Sequence, residues 1–331
     1  MSNHRIFLGL SVLLILAAGC SLMTGYRFVS PLQIMHLLTA PDPALLSFLA
    51  EYRLPRMLIA PICGAALAVA GLLLQSVTRN PLAAPDILGI NSAASMCVVL
   101  ALFWLPDLAL FWLNVLAFVA AMAMTALLML LLRQIDERDS QLRLPLLGTV
   151  LSLLFSAITH TVLTLNPSTQ DQALSWLTGN VTGRTLAQLA AALPWLLVGV
   201  VLIVRLLPRL DLFYLGDAQI RSLGIHPAKL RLHAILAASL LVAGAVSVVG
   251  PVAFIGLLIP RMAHALAPHH HKIRLPVAAL LGACALTLAD VLARFVMFPE
   301  DVPVGAVTAF IGGPVFLWLL YRRPGGGHAF R

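Results

Sequence analysis

Apolar runs of membrane-spanning length recur along all 331 residues of the chain, and no other feature limits its fold so tightly. A helix that crosses a bilayer needs about 20 predominantly apolar residues. Segments 6–26, 57–75, 88–105, 108–132, 144–165, 186–207, 232–249, 251–266, 275–296 and 302–321 meet or approach that length. The expectation is an all-α polytopic membrane protein with about ten transmembrane helices. The run at 251–266 is the weakest, because Pro260 and Arg261 interrupt it. Such a helix survives only where protein surrounds it and satisfies its freed backbone groups. The chain is 60% hydrophobic and only 10% charged, whereas soluble domains run near a quarter charged. No polar stretch is long enough for a separate unit, so 1–331 reads as a single integral membrane domain.

The net charge of +8 could suggest nucleic acid as a partner. The basic residues instead sit in short loops between apolar runs, where they set orientation, so no nucleic-acid partner is expected. With a cytoplasmic amino terminus, 16 of the 21 Lys and Arg lie inside and only Arg27, Arg53, Arg56, Arg184 and Arg294 lie outside. The reverse arrangement would place most of the positive charge outside, so both termini are read as cytoplasmic.

Little here suggests catalysis. No nucleophile elbow, phosphate-binding glycine loop or His/Glu zinc pattern occurs, so no catalytic residue, resident cofactor or metal site is expected. Cys20, Cys63, Cys97 and Cys284 stand singly in apolar runs, without the paired spacing of a disulfide framework. Cys20 closes a segment faintly like a lipoprotein cleavage site, but cleavage would leave an odd number of spans, so an uncleaved first helix is expected. His269, His270 and His271 fit a solvated loop better than a metal site, and His160 fits a hydrogen-bonded interior position. Asp290 is the main acid inside a span. Arg294 follows it by one helical turn, so a local ion pair accounts for it without a proton relay.

Two connections exceed simple turns. Segment 166–185, outside, contains a short helix at 173–179, with Trp176 expected near the headgroups. Segment 208–231, inside, reads at 215–225 as a capped short helix: Asp217 favours its start and Gly224 its end. Asp217 and Arg221 share a face of it. A helix of this kind suits docking into a partner's groove, and composition alone fits a plain connecting loop equally well.

At this point the sequence resembles the FecCD-type permeases of bacterial ABC importers. The motifs run from about residue 51 to 321 in family order. Arg53-Leu54-Pro55-Arg56 opens the second span, the small-residue run 64–71 lies within it, and Asn80-Pro81-Leu82 begins the stretch 80–89. The segment 215–224, Gly250-Pro251-Val252-Ala253-Phe254-Ile255-Gly256-Leu257, the stretch 288–294 and the stretch 303–309 follow. The stretch 51–95 looks most like the permeases for ferric dicitrate. Two departures are Arg261, where many relatives have histidine, and Gly312-Gly313-Pro314.

The resemblance implies the type II fold of ABC importer permeases, in a multi-pass subunit of the bacterial inner membrane. It implies a second permease subunit, identical or not, two cytoplasmic ATP-binding subunits and a periplasmic substrate-binding protein. The cargo would be an iron(III)-siderophore chelate of the citrate type, with cobalamin or haem as the alternative within the class. A secondary carrier or channel that needs no ATPase is the alternative outside it. By matching motif, Arg53, Arg56 and Arg294 would contact the binding protein, Asn80 and Leu82 would form the cytoplasmic gate, and Gly216, Asp217, Arg221, Leu223 and Gly224 would belong to the helix that couples to the ATPase.

Overall fold

The computed structural model describes residues 3–25, 28–33, 42–133, 140–166, 170–267, 270–298 and 300–321. Arg27, Arg138, His269 and the basic tail residues Arg322, Arg323 and Arg331 lie outside them. The protein is an all-α bundle. Its helices are α1 (Asn3–Met23), α2 (Pro43–Phe48), α3 (Leu54–Thr78), α4 (Ile90–Trp104), α5 (Leu110–Arg133), α6 (Ser140–Leu165), α7 (Gln170–Leu177), α8 (Leu186–Leu210), α9 (Asp217–Ser222), α10 (Pro227–Val249), α11 (Ile255–Leu266), α12 (His271–Val296) and α13 (Val304–Tyr321). Among the described residues, seven candidate spans are long and apolar enough to cross a bilayer, and three shorter apolar helices, α4, α11 and most of α13, complete the ten expected.

Helices α3 and α10 form the centre, and their side chains are buried almost throughout. Small residues make this possible. A methyl group at Gly64 would overlap the Gly282 carbonyl of α12, and one at Gly71 would overlap the Gly256 carbonyl of α11. Close backbone approach replaces the hydrophobic drive that lipid cannot supply between helices. The weak run at 251–266 is indeed a short helix, α11, whose apolar residues Ile255, Ile259 and Ala263 are buried against the bundle.

Other faces carry exposed apolar side chains. Leu146, Val150 and Leu153 on α6, Val200, Val201 and Val204 on α8, and Phe310, Leu317 and Tyr321 on α13 are all exposed. Apolar exposure on this scale is incompatible with a surface in water.

Three expectations need correction. The second span begins earlier than the apolar run indicated: α2 and a π-helical turn, Leu49–Arg53, lead without a break into α3. The helix α7 exists, but Trp176 is only 3% exposed and packs into the protein rather than lying near the headgroups. The turn after it explains why: the Asn180 amide donates to the Val249 carbonyl at 2.7 Å, and the Gly305 amide to the Gly179 carbonyl at 3.1 Å. That tie draws α7 onto the ends of α10 and α13. Finally, His160 is exposed on α6, not interior.

Candidate functional site

Polar side chains concentrate at the two ends of the bundle, called here upper and lower. The π-helical turn and the first turn of α3 bring Arg53 and Arg56 to the upper end, where α12 presents Asp290 and Arg294. Arg56 donates to Asp290 at 2.7 Å and to Asp301, in the α12–α13 connection, at 2.5 Å. Arg294 pairs with the second oxygen of Asp290, as the spacing predicted, and donates to the Ser21 and Thr24 carbonyls at 2.6 and 2.7 Å. Arg53 donates to the same Thr24 carbonyl. The cluster therefore ties α1, α3, α12 and the α12–α13 connection together.

The three arginines are buried, at 4, 7 and 2% exposure for Arg53, Arg56 and Arg294, and the carboxylates that pair with Arg56 and Arg294 belong to this chain. Snorkelling to headgroups, the simple fate of arginine at a span end, is thereby excluded for them. Thr182 donates to Asp301 at 3.0 Å and joins the turn after α7 to the cluster. Burial pushes the Asp301 carboxyl up, but the Arg56 guanidinium beside it and the Thr182 hydroxyl outweigh this and hold it below the usual carboxylate range. Arg184 is buried at the same end, and burial pulls its guanidinium down to about 10, so it stays charged at neutral pH.

At the lower end α3 stops at Thr78, and Arg79 takes the left-handed conformation with φ of 50°. A non-glycine residue held there costs on the order of 1–3 kcal/mol and persists only where its surroundings enforce it. The turn that follows is fixed by Asn80, whose side-chain oxygen accepts from the Leu82 amide at 2.9 Å. Leu82 itself is 42% exposed. The two residues expected at a gate thus form one side-chain-locked turn with an outward apolar tip.

The segment after α8 supplies the next layer. A 3-10 turn, Asp211–Tyr214, leads through Gly216 into α9. Helix α9 ends as glycine demands: Gly224 has φ of 74°, its amide donates to Arg221, and the Ile225 amide donates to Ile220. The short helix is therefore real and not a plain loop. Ile220 is fully buried beneath it, whereas Leu223 is exposed. Asp217 is held by Arg231 of α10, which reaches both its oxygens at 2.6 Å, and by Arg79 at 3.1 Å.

His271 overturns the solvated-loop expectation. It is fully buried at the start of α12, contacts Asp211 at 2.6 Å through Nδ1 and Ser76 at 2.8 Å through Nε2, while His270 is exposed. The Asp–His–Ser order has the look of a hydrolase relay. Ser76, however, sits inside α3 and donates its proton to the Leu72 carbonyl at 2.9 Å, so the chain of contacts pins three segments together. Beside it opens a cavity of about 400 Å³, bordered by Arg79, Arg261, Arg274, His264 and Tyr214, with no carboxylate among its described lining residues. Arg261 stacks over Phe316 of α13, with its guanidinium carbon 5.5 Å from the ring centre.

Arg79, Arg231 and Asp301 were not singled out from sequence, and His271 was read only as part of a solvated loop. Only Arg79 carried a signal, its place directly before Asn80-Pro81.

Comparison with known proteins adds the following. The model of the FecCD transport family matches residues 13–322. The Fe(3+) dicitrate transport system permease protein FecD of Escherichia coli (strain K12) is 40% identical over 92% of this chain and 95% of its own length. The Fe(3+)-citrate import system permease protein YfmE of Bacillus subtilis (strain 168) is 36% identical over 94% of this chain and 93% of its own. A solved structure described as an inward-facing conformation of a metal-chelate type ABC transporter superposes with a TM-score of 0.86, at 30% identity, over 96% of this chain and 99% of the other.

Proposed function

This chain belongs to the FecCD transport family, and from that premise we propose that it is the membrane-spanning permease subunit of an ATP-driven importer for an iron(III) chelate of the citrate or hydroxycarboxylate type. The observation that carries the reading is its near full-length similarity to permeases named for ferric citrate in two organisms. Its partners in this reading are a second permease subunit, two cytoplasmic ATP-binding subunits and a periplasmic substrate-binding protein. The upper end faces the periplasm and both termini face the cytoplasm of a bacterial inner membrane, with the whole of 1–331 acting as one membrane domain.

The described residues support each step. Three guanidinium groups against two carboxylates leave the upper cluster net positive, and Arg184 adds to that field. This local positive excess orients an acidic group of the binding protein, and in this way Arg53, Arg56 and Arg294 serve docking from buried positions. The cluster also locks four segments, so they move as a block. Asp290, whose two oxygens are held by Arg56 and Arg294, is spent on structure, which argues against a proton-coupled carrier.

At the lower end Asn80 and Leu82 close the pathway, the exposed apolar tip of Leu82 packing against the second permease subunit to exclude water-borne solutes. The helix bearing Gly216, Asp217, Arg221, Leu223 and Gly224 sits in a groove of the ATPase through Leu223 and its exposed neighbours. Nucleotide-driven motion of that helix opens the gate by alternating access. The cavity behind the gate, lined by Arg79, Arg261 and Arg274, suits a negatively charged chelate at the point of release.

The cargo class is tested by competition. Vesicles containing the assembled importer are loaded with radiolabelled ferric citrate in the presence of excess unlabelled ferric citrate, haem or cobalamin. Suppression by ferric citrate alone supports the reading. Suppression by haem or cobalamin, with ferric citrate inert, overturns the cargo.

A further inference from the structure

We propose that Arg79 is the positioning residue that transmits motion of the ATPase-coupling helix to the cytoplasmic gate; this rests on the gate and coupling assignments above. Its side chain leaves the end of α3 directly before the Asn80–Leu82 turn and reaches across to the segment leading into α9. The Nε donates to the Phe213 carbonyl at 2.7 Å. One terminal nitrogen donates to the Leu215 carbonyl and, at 3.1 Å, to the Asp217 carboxylate. Three acceptors on one five-residue stretch are thus gathered by one planar fork, an arrangement that fits guanidinium and not ammonium.

The backbone geometry gives the contact its mechanical meaning. Arg79 has φ of 50°, so the helix ends at the very residue that makes the contact. A displacement of Asp217 is therefore delivered to the pivot of the gate turn and not to the middle of a stiff helix. Asp217 is itself fastened to α10 by Arg231 at 2.6 Å. Arg79, Asp217 and Arg231 together hinge the gate-bearing end of α3, the coupling helix and α10 at one point. Asp217 is thus shared by the two guanidinium groups.

A merely structural role would stabilise the same contacts, so the test reads coupling. The importer is purified with its ATP-binding subunits, reconstituted with binding protein, and assayed for iron uptake and ATP hydrolysis on the same vesicles. Arg79→Gln removes the fork. Hydrolysis should stay within about twofold of wild type while uptake falls, raising the ATP used per iron by about tenfold, the effect of losing one charge-assisted bond. Arg79→Lys should recover part of the ratio, since it keeps the charge and one donor. Spin labels at Leu82→Cys and Ser222→Cys supply a second readout. With Arg79 present, their separation should be single-valued and should shift as a unit between nucleotide states. With Arg79→Gln it should broaden.

An unchanged ATP-to-iron ratio together with an unchanged label distribution in Arg79→Gln overturns the proposal while leaving the importer reading intact. Failure of the unsubstituted protein to copurify with an ATP-binding subunit, or to hydrolyse ATP in response to binding protein, overturns the importer reading itself. If Arg79→Gln does not assemble, Arg79→Lys decides: a wild-type ratio and distribution there contradict the need for a three-acceptor fork.

Discussion

Asp301 and Arg56 meet across 245 residues of sequence, and what each contributes depends on the other being charged. Removing one member of a buried ion pair strands the other and costs about 3–5 kcal/mol. Arg56→Gln leaves Asp290 and Asp301 short of their shared donor, so the detergent-solubilised protein should melt well below wild type, with Arg56→Lys between the two. An unchanged melting temperature would show that the cluster is not structural. The Asp301 carboxyl is held below its ordinary value, so its stabilisation is complete above that value and is lost as pH falls through the depressed one. Wild type should therefore lose stability below about pH 4 by more than Asp301→Asn does, because the latter lacks that titrating group. Parallel pH profiles would contradict the tie. The Asp290–Arg294 half of this cluster was legible in the sequence, since one helical turn joins the two. The Asp301 half was not, because no local spacing records a contact between distant loops.

Helix α9 shows how an element can be read correctly and its bonding missed. The glycine end at Gly224 is local chemistry and appears as expected, whereas the N-cap is Gly216 and Asp217 is the first helical residue, freeing its carboxylate for other partners. The partners of Asp217 are tertiary: Arg79 lies 138 residues away and Arg231 lies on the next helix. The same limit explains His160 and His271. Each is a polar residue in or beside an apolar run, and only the packing around it decides which is buried. Ile220→Pro removes the amide that bonds to the Gly216 carbonyl at 3.0 Å and disturbs α9 by about 3 kcal/mol. Because α9 lies beyond the spans, the variant should still accumulate in the membrane. Uptake should be abolished in cells that hold normal amounts of it, and persistent uptake would reduce α9 to a connector.

For the whole molecule, the repeat of apolar runs was enough to anticipate an all-α bundle, and the asymmetry of Lys and Arg supplies the orientation proposed for it. Inter-helix geometry was not legible, because lipid-facing and buried sides of a uniformly apolar helix look alike in sequence. The orientation makes a direct prediction. Asp107→Cys, in the exposed α4–α5 connection, should react with an impermeant thiol reagent in cells with a permeable outer envelope. Ser222→Cys, exposed at the end of α9, should react only after the inner membrane is opened. Equal labelling of both would contradict the topology. Cys20 is exposed, so the labelling background should be that of Cys20→Ser.

The central claim is that this chain moves its cargo only as part of an ATP-driven assembly. The most direct test is iron uptake into proteoliposomes that contain the chain with or without its partner permease, ATP-binding subunits, binding protein and internal ATP. The account predicts uptake with the full set and none when ATP, the ATP-binding subunits or the binding protein is withheld. Uptake by the chain alone, driven by a proton or sodium gradient, would contradict it.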